Sequence, residues 1–388
     1  MFNFKQLPPL SLYIHVPWCV RKCPYCDFNS HAIHHKIPER HYVAGLLADL
    51  EQDLPRIGGR TIRSIFIGGG TPSLFSPEIL HNLLSGIRAR VPVGADAEIT
   101  LEANPGTIDS ERFNGFREAG INRISLGIQS FKEKSLQSLG RIHGHQEAQL
   151  AIEMANQAGF EQINLDIMFG LPMQTLAMAL EDLEIAVTFP ISHLSWYQLT
   201  IEPNTWFHHQ PPSLPDDDLL WEIQMAGQHY LAEQGYSQYE VSAYAKPKQQ
   251  CQHNLNYWKF GDYLGIGAGA HAKITDTVQG TITRFSKQRH PETYLQLAHT
   301  SEVVAKKLTL TLKDVCLEFM MNALRLNKGF TNHDFIENTG LSMVDVEKPL
   351  AQAYTQGWLI QKKEGIVQRI YPTKTGMRFL NELLELFL

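Results

Sequence analysis

Three thiols stand within eight residues of one another, Cys19, Cys23 and Cys26, in the stretch CVRKCPYC. A C-x₃-C-x₂-C spacing on one loop offers three thiolates at close range, which suits three corners of a [4Fe–4S] cluster. The fourth iron is then left without a protein ligand and stays open to a small molecule. Asp27 and Phe28 follow, so no further thiol closes the loop. A zinc ion would need a remote fourth ligand, such as His15, His31 or Cys251. Structural zinc usually draws on paired C-x₂-C units, and no second pair is present. A redox C-x-x-C made from Cys23 and Cys26 leaves Cys19 without a role.

Other residues with chemical capacity fall at regular places along the chain. The run GGGT (Gly68 to Thr71) removes side chains where backbone must approach a ligand, although a tight turn also asks for glycine. Glu102, Gln129 and Asp166 are polar residues in or just after apolar runs, and Arg141 follows the fourth run. A carboxylate such as Asp166 in INLDIMFG is costly to bury unless it is paired or binds something. It can accept ribose hydroxyls, and Arg141 can clamp a carboxylate with two parallel hydrogen bonds. A structural ion pair between Asp166 and Arg141 is the alternative. His253, Asn254 and Tyr257 form H-N-x-x-Y within HNLNYW. His and Tyr both serve as axial ligands of heme iron, and Tyr257 with Trp258 can stack on a flat ring. The plainer reading is a loop packed by its own aromatics, with His253 in an ordinary hydrogen bond. Cys251 is a further thiol nearby, and a lone cysteine is usually inert packing. His31, His34 and His35, and the pair His208 and His209, read as solvated loop residues.

The elements that must position these groups alternate. Strand patterns at Ser11 to Pro17, Ser64 to Gly70, Ala97 to Pro105, Asn122 to Ser130, Gln162 to Pro172 and His193 to Pro203 are each followed by a helical pattern. Near-continuous apolar strands joined by helices imply parallel pairing with both faces covered. The fold class expected is α/β: a partial (β/α)6 TIM-like barrel, then a small α+β segment and a winged-helix-like C-terminal unit. In such sheets ligand groups collect at the carboxyl ends of the strands. The cysteines, the glycine run, Glu102, Gln129 and Asp166 all sit at those ends. The expected division is 1–235 for the barrel, 236–303 for a β-rich extension carrying HNLNYW, and 304–388 for the C-terminal unit.

A chain of 388 residues is too long for one ordinary core, and 43% apolar with 19% charged residues is the profile of a soluble globular protein. The clustered thiols point to a reducing compartment, and no signal peptide or membrane-spanning run is visible, so a cytoplasmic location is expected. The net charge of −6 argues against broad electrostatic binding of nucleic acid.

CVRKCPYCDF and GGGTP resemble the signatures of radical S-adenosylmethionine (SAM) proteins. LEANP, SLGIQSF, LGRIHG, DIMFGLP and HNLNYW are arranged as in the oxygen-independent coproporphyrinogen III oxidase family. CDF after the third cysteine, together with HNLNYW, is similar to its HemW-type heme chaperone branch. The resemblance implies a [4Fe–4S] cluster on Cys19, Cys23 and Cys26. It implies SAM contacts from Tyr13, Tyr25, Gly69, Gly70, Thr71, Glu102, Gln129, Arg141 and Asp166, and heme binding by His253, Asn254 and Tyr257. In that family one electron entering the cluster cleaves SAM to a 5′-deoxyadenosyl radical. The function implied is delivery of heme to acceptor proteins, including respiratory ones, with an electron donor serving the cluster. Oxidative decarboxylation of coproporphyrinogen III is the alternative, and the cluster and SAM residues are common to both.

Overall fold

The computed structural model describes residues 2–33, 35–365 and 367–388. His34, grouped above with the solvated histidines, lies outside them. Six strands alternate with helices: β1 (Leu10–Val16), β2 (Ile62–Gly69), β3 (Val93–Ala103), β4 (Arg123–Gln129), β5 (Gln162–Phe169) and β6 (His193–Gln198). Between and after them run α1 (Glu39–Ile57), α2 (Pro77–Arg88), α3 (Ser110–Glu118), α4 (His145–Gln157), α5 (Leu176–Val187) and α6 (Asp217–Glu233). Each strand pairs in parallel with the next. β1 reads LSLYIHV and buries all but Tyr13, as a strand covered on both faces must. Its Leu12, Ile14 and Val16 join Leu46 and Leu50 of α1 and Leu80 and Leu83 of α2 in one continuous apolar core. Asp109, Thr175 and Asp216 accept backbone N–H groups at the starts of α3, α5 and α6, and so fix where each crossover helix begins.

The sheet does not stop at six strands. It continues through β7 (Ser237–Glu240), β8 (Ala243–Ala245), β9 (Asp262–Ile266), β10 (His271–Asp276), β11 (Thr281–Lys287) and β12 (Val304–Thr309). The strand order is β12-β11-β10-β9-β1-β2-β3-β4-β5-β6-β8-β7. β9 lies parallel to β1, from Leu10 opposite Asp262 to Ile14 opposite Ile266, so β1 is enclosed on both sides. The parallel run therefore has a seventh member that small residues in DYLGIGAGA concealed. Before it, HNLNYW forms a helix, α7 (Gln252–Trp258), where the plainer reading of the sequence expects a loop packed by its aromatics.

Beyond β12, α8 (Leu312–Ala323) and the shorter helices Asn332–Thr339, Glu347–Thr355, Lys374–Arg378 and Leu380–Glu385 pack with a three-stranded sheet of Phe330–Thr331, Leu359–Glu364 and Val367–Pro372. Phe319, Phe330 and Phe335 meet edge to face at its centre. Phe260 and Ile282 of the large sheet region share that core, so the C-terminal unit is packed onto the extension. Arg325 reinforces the junction by donating to Glu240 at 2.9 Å.

Candidate cofactor-binding cleft

The cysteine loop is tied at its root by a two-residue parallel pairing, Trp18–Cys19 with His31–Ala32. Asn29 holds its far side through hydrogen bonds to the carbonyls of Ala268 and Arg289 at 2.9 and 2.8 Å. His15 Nε2 lies 2.8 Å from the Asn29 carbonyl, and its Nδ1 lies 2.9 Å from the Tyr13 hydroxyl. Tyr13 thus reaches the loop through His15 and is not part of the cleft wall, which the other sequence-selected residues of this group line. The glycines are required by packing against this loop. A Cβ on Gly69, whose φ is +114°, would stand 2.6 Å from the His15 ring, and one on Gly70 would stand 2.5 Å from the Trp18 carbonyl oxygen.

A cleft of about 310 Å³ opens at the carboxyl ends of the strands. Cys19, Cys23 and Cys26 line one side, with Tyr25 beside them. Gly69, Gly70 and Thr71 follow, then Glu102, Gln129, Arg141 and Asp166 on the opposite side. Walls drawn from the β1 loop through to β6 mean that the sheet wraps around this space. Burial pushes the Cys19 and Cys26 thiols up, so they need a counter-charge to ionise. Iron supplies that, because a coordinating thiol is deprotonated outright. The donor set therefore fits a cluster. Of the remote ligands that zinc would need, His15 is engaged as above and Cys251 Sγ lies against Glu98 at 3.4 Å, which leaves His31, edge-on to His290 with its buried Nε2 unpartnered.

Arg141 arches over the loop. One Nη lies 3.6 Å from Cys23 Sγ, the other donates to the Gly127 carbonyl at 2.7 Å, and its buried Nε has no partner. No carboxylate pairs with it among the described residues, so the Asp166–Arg141 ion pair is not formed. Asp166 instead accepts from Ser125 at 2.9 Å and Asn164 at 2.8 Å. Burial nevertheless holds its carboxyl above the usual range, those hydrogen bonds opposing it. Among the described residues Glu102 accepts a single hydrogen bond, from the Gly69 N–H at 3.0 Å. Burial, with Asp166 nearby, pushes it up to about 8. Gln129 sits at φ +69°, an uncommon conformation for a side-chain-bearing residue, and its Oε1 accepts the Tyr197 hydroxyl at 2.8 Å. The cleft thus offers a ring of thiols, an under-satisfied guanidinium and two reluctant carboxyl groups.

HNLNYW lies at the other end of the strands. His253 is 1% exposed. Its Nδ1 lies 3.0 Å from Ser64 Oγ and its Nε2 lies 3.0 Å from the Tyr257 hydroxyl. Glu98 accepts the backbone N–H of both Gln252 and His253 at 2.9 Å. Asn254 is half-buried on the same helix. The structure brings His253 and Tyr257 together and keeps both apart from the cysteine cleft.

Residues 13–186 match the radical SAM superfamily, and residues 310–379 match the HemN C-terminal domain. A heme chaperone HemW from Escherichia coli K12 is 52% identical over 383 residues, covering 99% of each chain. One from Haemophilus influenzae is also 52% identical, over 387 residues and 99% of each chain. One from Bacillus subtilis is 33% identical over 97% of this chain and 99% of its own. The chain belongs to the HemW family of radical SAM proteins. The coproporphyrinogen III oxidase HemN from Escherichia coli superposes with a TM-score of 0.81 at 22% identity, over 98% of this chain and 90% of that one, which establishes a shared fold.

Sequence reading of this HemW family member missed three cleft-side groups. Tyr197 and Ser125 line the cleft, and Asn164 holds Asp166. Tyr197 carried a usable signal, since it lies near the carboxyl end of the sixth strand. Ser125 and Asn164 carried none, because a short polar residue in an apolar strand has many ordinary uses. Among the described residues no helix is long and apolar enough to cross a membrane.

Proposed function

We propose that this protein is a heme chaperone of the radical SAM type. Cys19, Cys23 and Cys26 hold a [4Fe–4S] cluster, and the adjoining cleft binds SAM. When bound, the cluster supplies one-electron reduction to a ligand on its open iron. Arg141 takes the methionyl carboxylate, with its Nε free to donate. Glu102 and the Gly69–Thr71 backbone face the ammonium group, Asp166 and Gln129 the ribose hydroxyls, and Tyr25 the adenine. Tyr13 acts on the loop through His15. Heme is held at the HNLNYW helix, by His253 and Tyr257 with Asn254 alongside, once the His253–Tyr257 hydrogen bond opens. Acceptor proteins receive the heme, and an electron donor serves the cluster, in a reducing cytoplasm where all five cysteines stay free.

The observation that carries this reading is full-length identity of 52% to heme chaperones together with an intact cysteine cleft. The test is anaerobic reconstitution with iron and sulfide, followed by heme loading and transfer to an apo-hemoprotein, read by the Soret band. Transfer without conversion of coproporphyrinogen III supports the chaperone. Conversion of coproporphyrinogen III at enzymatic rates, with reductant and SAM, replaces it with the oxidase.

A further inference from the structure

A second cavity, of about 280 Å³, lies beside α7, at the end of the sheet opposite the cysteines. Its walls are aromatic: Tyr257, Trp258, Phe260 and Tyr263. Lys273 and Arg284 bring cations to it, and Asn322 of α8 brings an amide. Two features bear on what this cavity could receive. The buried indole N–H of Trp258 has no hydrogen-bond partner, as is also true of the core indole of Trp196. The local charges are also unbalanced. Arg60 and Lys273 both pair with Asp262, each at 2.8 Å, and Arg284 pairs with Glu318. Three cations thus meet two carboxylates, and Lys273 and Asp262 are fully buried. A surplus of positive charge beside aromatic faces is complementary to a flat conjugated anion.

The cavity also adjoins the histidine of HNLNYW. Tyr257 forms part of its wall, and the hydroxyl of that ring is the group 3.0 Å from His253 Nε2. Displacing Tyr257 from the cavity side frees that nitrogen. Leu308, set opposite Arg284 in the β11–β12 ladder, is 46% exposed and extends the apolar surface next to Arg284.

We infer that this cavity receives a carboxylate-bearing edge of an iron porphyrin, with Arg284 as the principal carboxylate partner. The inference rests on the heme-chaperone reading and adds to it a site and an orientation. The cavity is too small for a whole macrocycle, so only one edge of the ring enters it. Glu318 competes with the ligand for Arg284, to which it is bonded at 2.9 Å through Nε.

The experiment compares heme with heme dimethyl ester, in which both carboxylates are masked, by Soret titration of the full chain. The wild type is expected to bind heme about tenfold or more tighter than the ester, the scale of one charge-assisted hydrogen bond. Arg284→Gln removes that preference while leaving ester affinity unchanged. Glu318→Gln works in the opposite direction, releasing Arg284 and tightening heme alone, so the site remains testable if Arg284→Gln folds poorly. Lys307→Gln, whose ammonium lies over the Phe285 ring on the other face of the β11–β12 ladder, retains the preference. Equal affinity of the wild type for heme and ester, or an undiminished preference in Arg284→Gln, overturns the site while leaving the chaperone reading standing. Failure of the wild type to bind either compound overturns the chaperone reading and the site with it.

Discussion

His253 and Ser64 are 189 positions apart in the chain, and their side chains meet at 3.0 Å at the foot of the sheet. Tyr257 takes the other ring nitrogen. The histidine of the HNLNYW helix is therefore also a structural bolt, seating α7 against β2. Burial, and then the positive field of Arg123, hold its imidazole neutral, with the pKa lowered to about 3. One residue that seats the helix and supplies a candidate iron ligand makes heme binding compete with a piece of the fold.

The first prediction concerns acid. A histidine near 3 in the fold and near 6.5 when unfolded leaves the unfolded chain holding more protons between those values. Its contribution is complete above pH 6.5 and is lost as the pH falls toward 3, by up to about 1.4 kcal/mol per pH unit. His193 and His143 are also lowered by burial, His143 to about 4, and add slopes of the same sign. The readout is therefore a difference. Unfolding curves of wild type and His253→Gln, taken from pH 7 to pH 4, should converge as the pH drops. Parallel curves would show that His253 carries no such linkage.

A second prediction separates stability from binding at Glu102. Its carboxyl is raised from 4.5 to about 8, chiefly by burial, so the fold holds the extra proton in that window. Stability from this group is complete below pH 4.5 and is lost as the pH rises through 8, again by about 1.4 kcal/mol per pH unit at most. Glu102→Gln keeps an acceptor for the Gly69 N–H and never ionises. The ligand-free variant should melt higher than wild type at pH 8.5 and close to it at pH 5, while its affinity for SAM falls. A variant less stable at pH 8.5 would show that the carboxylate is already compensated within the protein.

How much of this was legible in the sequence depends on chain locality. The cysteine loop could be read because its three thiols sit on one short segment. The α/β fold could be read because apolar runs and helical spacing alternate through the first half. Glu102, Gln129 and Asp166 could be placed at strand ends for the same reason, and the curled sheet then brings them to one cleft. The seventh parallel strand was hidden, since Gly265 and Gly267 blur the pattern of β9 and its partner β1 begins the sheet 252 positions earlier. The bolt from His253 to Ser64 was hidden for a related reason. It depends on which end of the strands α7 packs against, and residue types do not encode that. Tyr13 marks an intermediate case. The resemblance marks it as a SAM contact, while its hydrogen bond toward the loop through His15 required coordinates.

The third prediction asks which thiols matter. Cys19→Ala, Cys23→Ala and Cys26→Ala should each abolish stable incorporation of iron and sulfide during anaerobic reconstitution. Cys251 lies at the opposite end of the strands against Glu98, and Cys316 is buried in the C-terminal core. Cys251→Ser and Cys316→Ala should therefore load iron and sulfide as the wild type does. A loss of iron in Cys251→Ser without unfolding would mean that the loop recruits a fourth thiol, and the open coordination position would go with it.

The fourth prediction turns on the unused edge of Arg141. Its two terminal nitrogens already serve Cys23 and the Gly127 carbonyl, so its buried Nε carries the spare donor. An unpaired buried donor costs about 1–3 kcal/mol, a cost that a bound carboxylate would offset. Lysine offers charge without a planar fork, and cannot hold the Gly127 carbonyl and a carboxylate in one plane. Arg141→Lys should therefore keep its iron and its melting temperature to within a few degrees, and lose SAM affinity by about ten- to a hundredfold, equivalent to about 1.4–2.7 kcal/mol. Calorimetric titration of the reconstituted variant with SAM measures the loss. If iron content and stability fall together with affinity, Arg141 serves chiefly to brace the cysteine loop, and recognition of the carboxylate has to be sought elsewhere along the cleft.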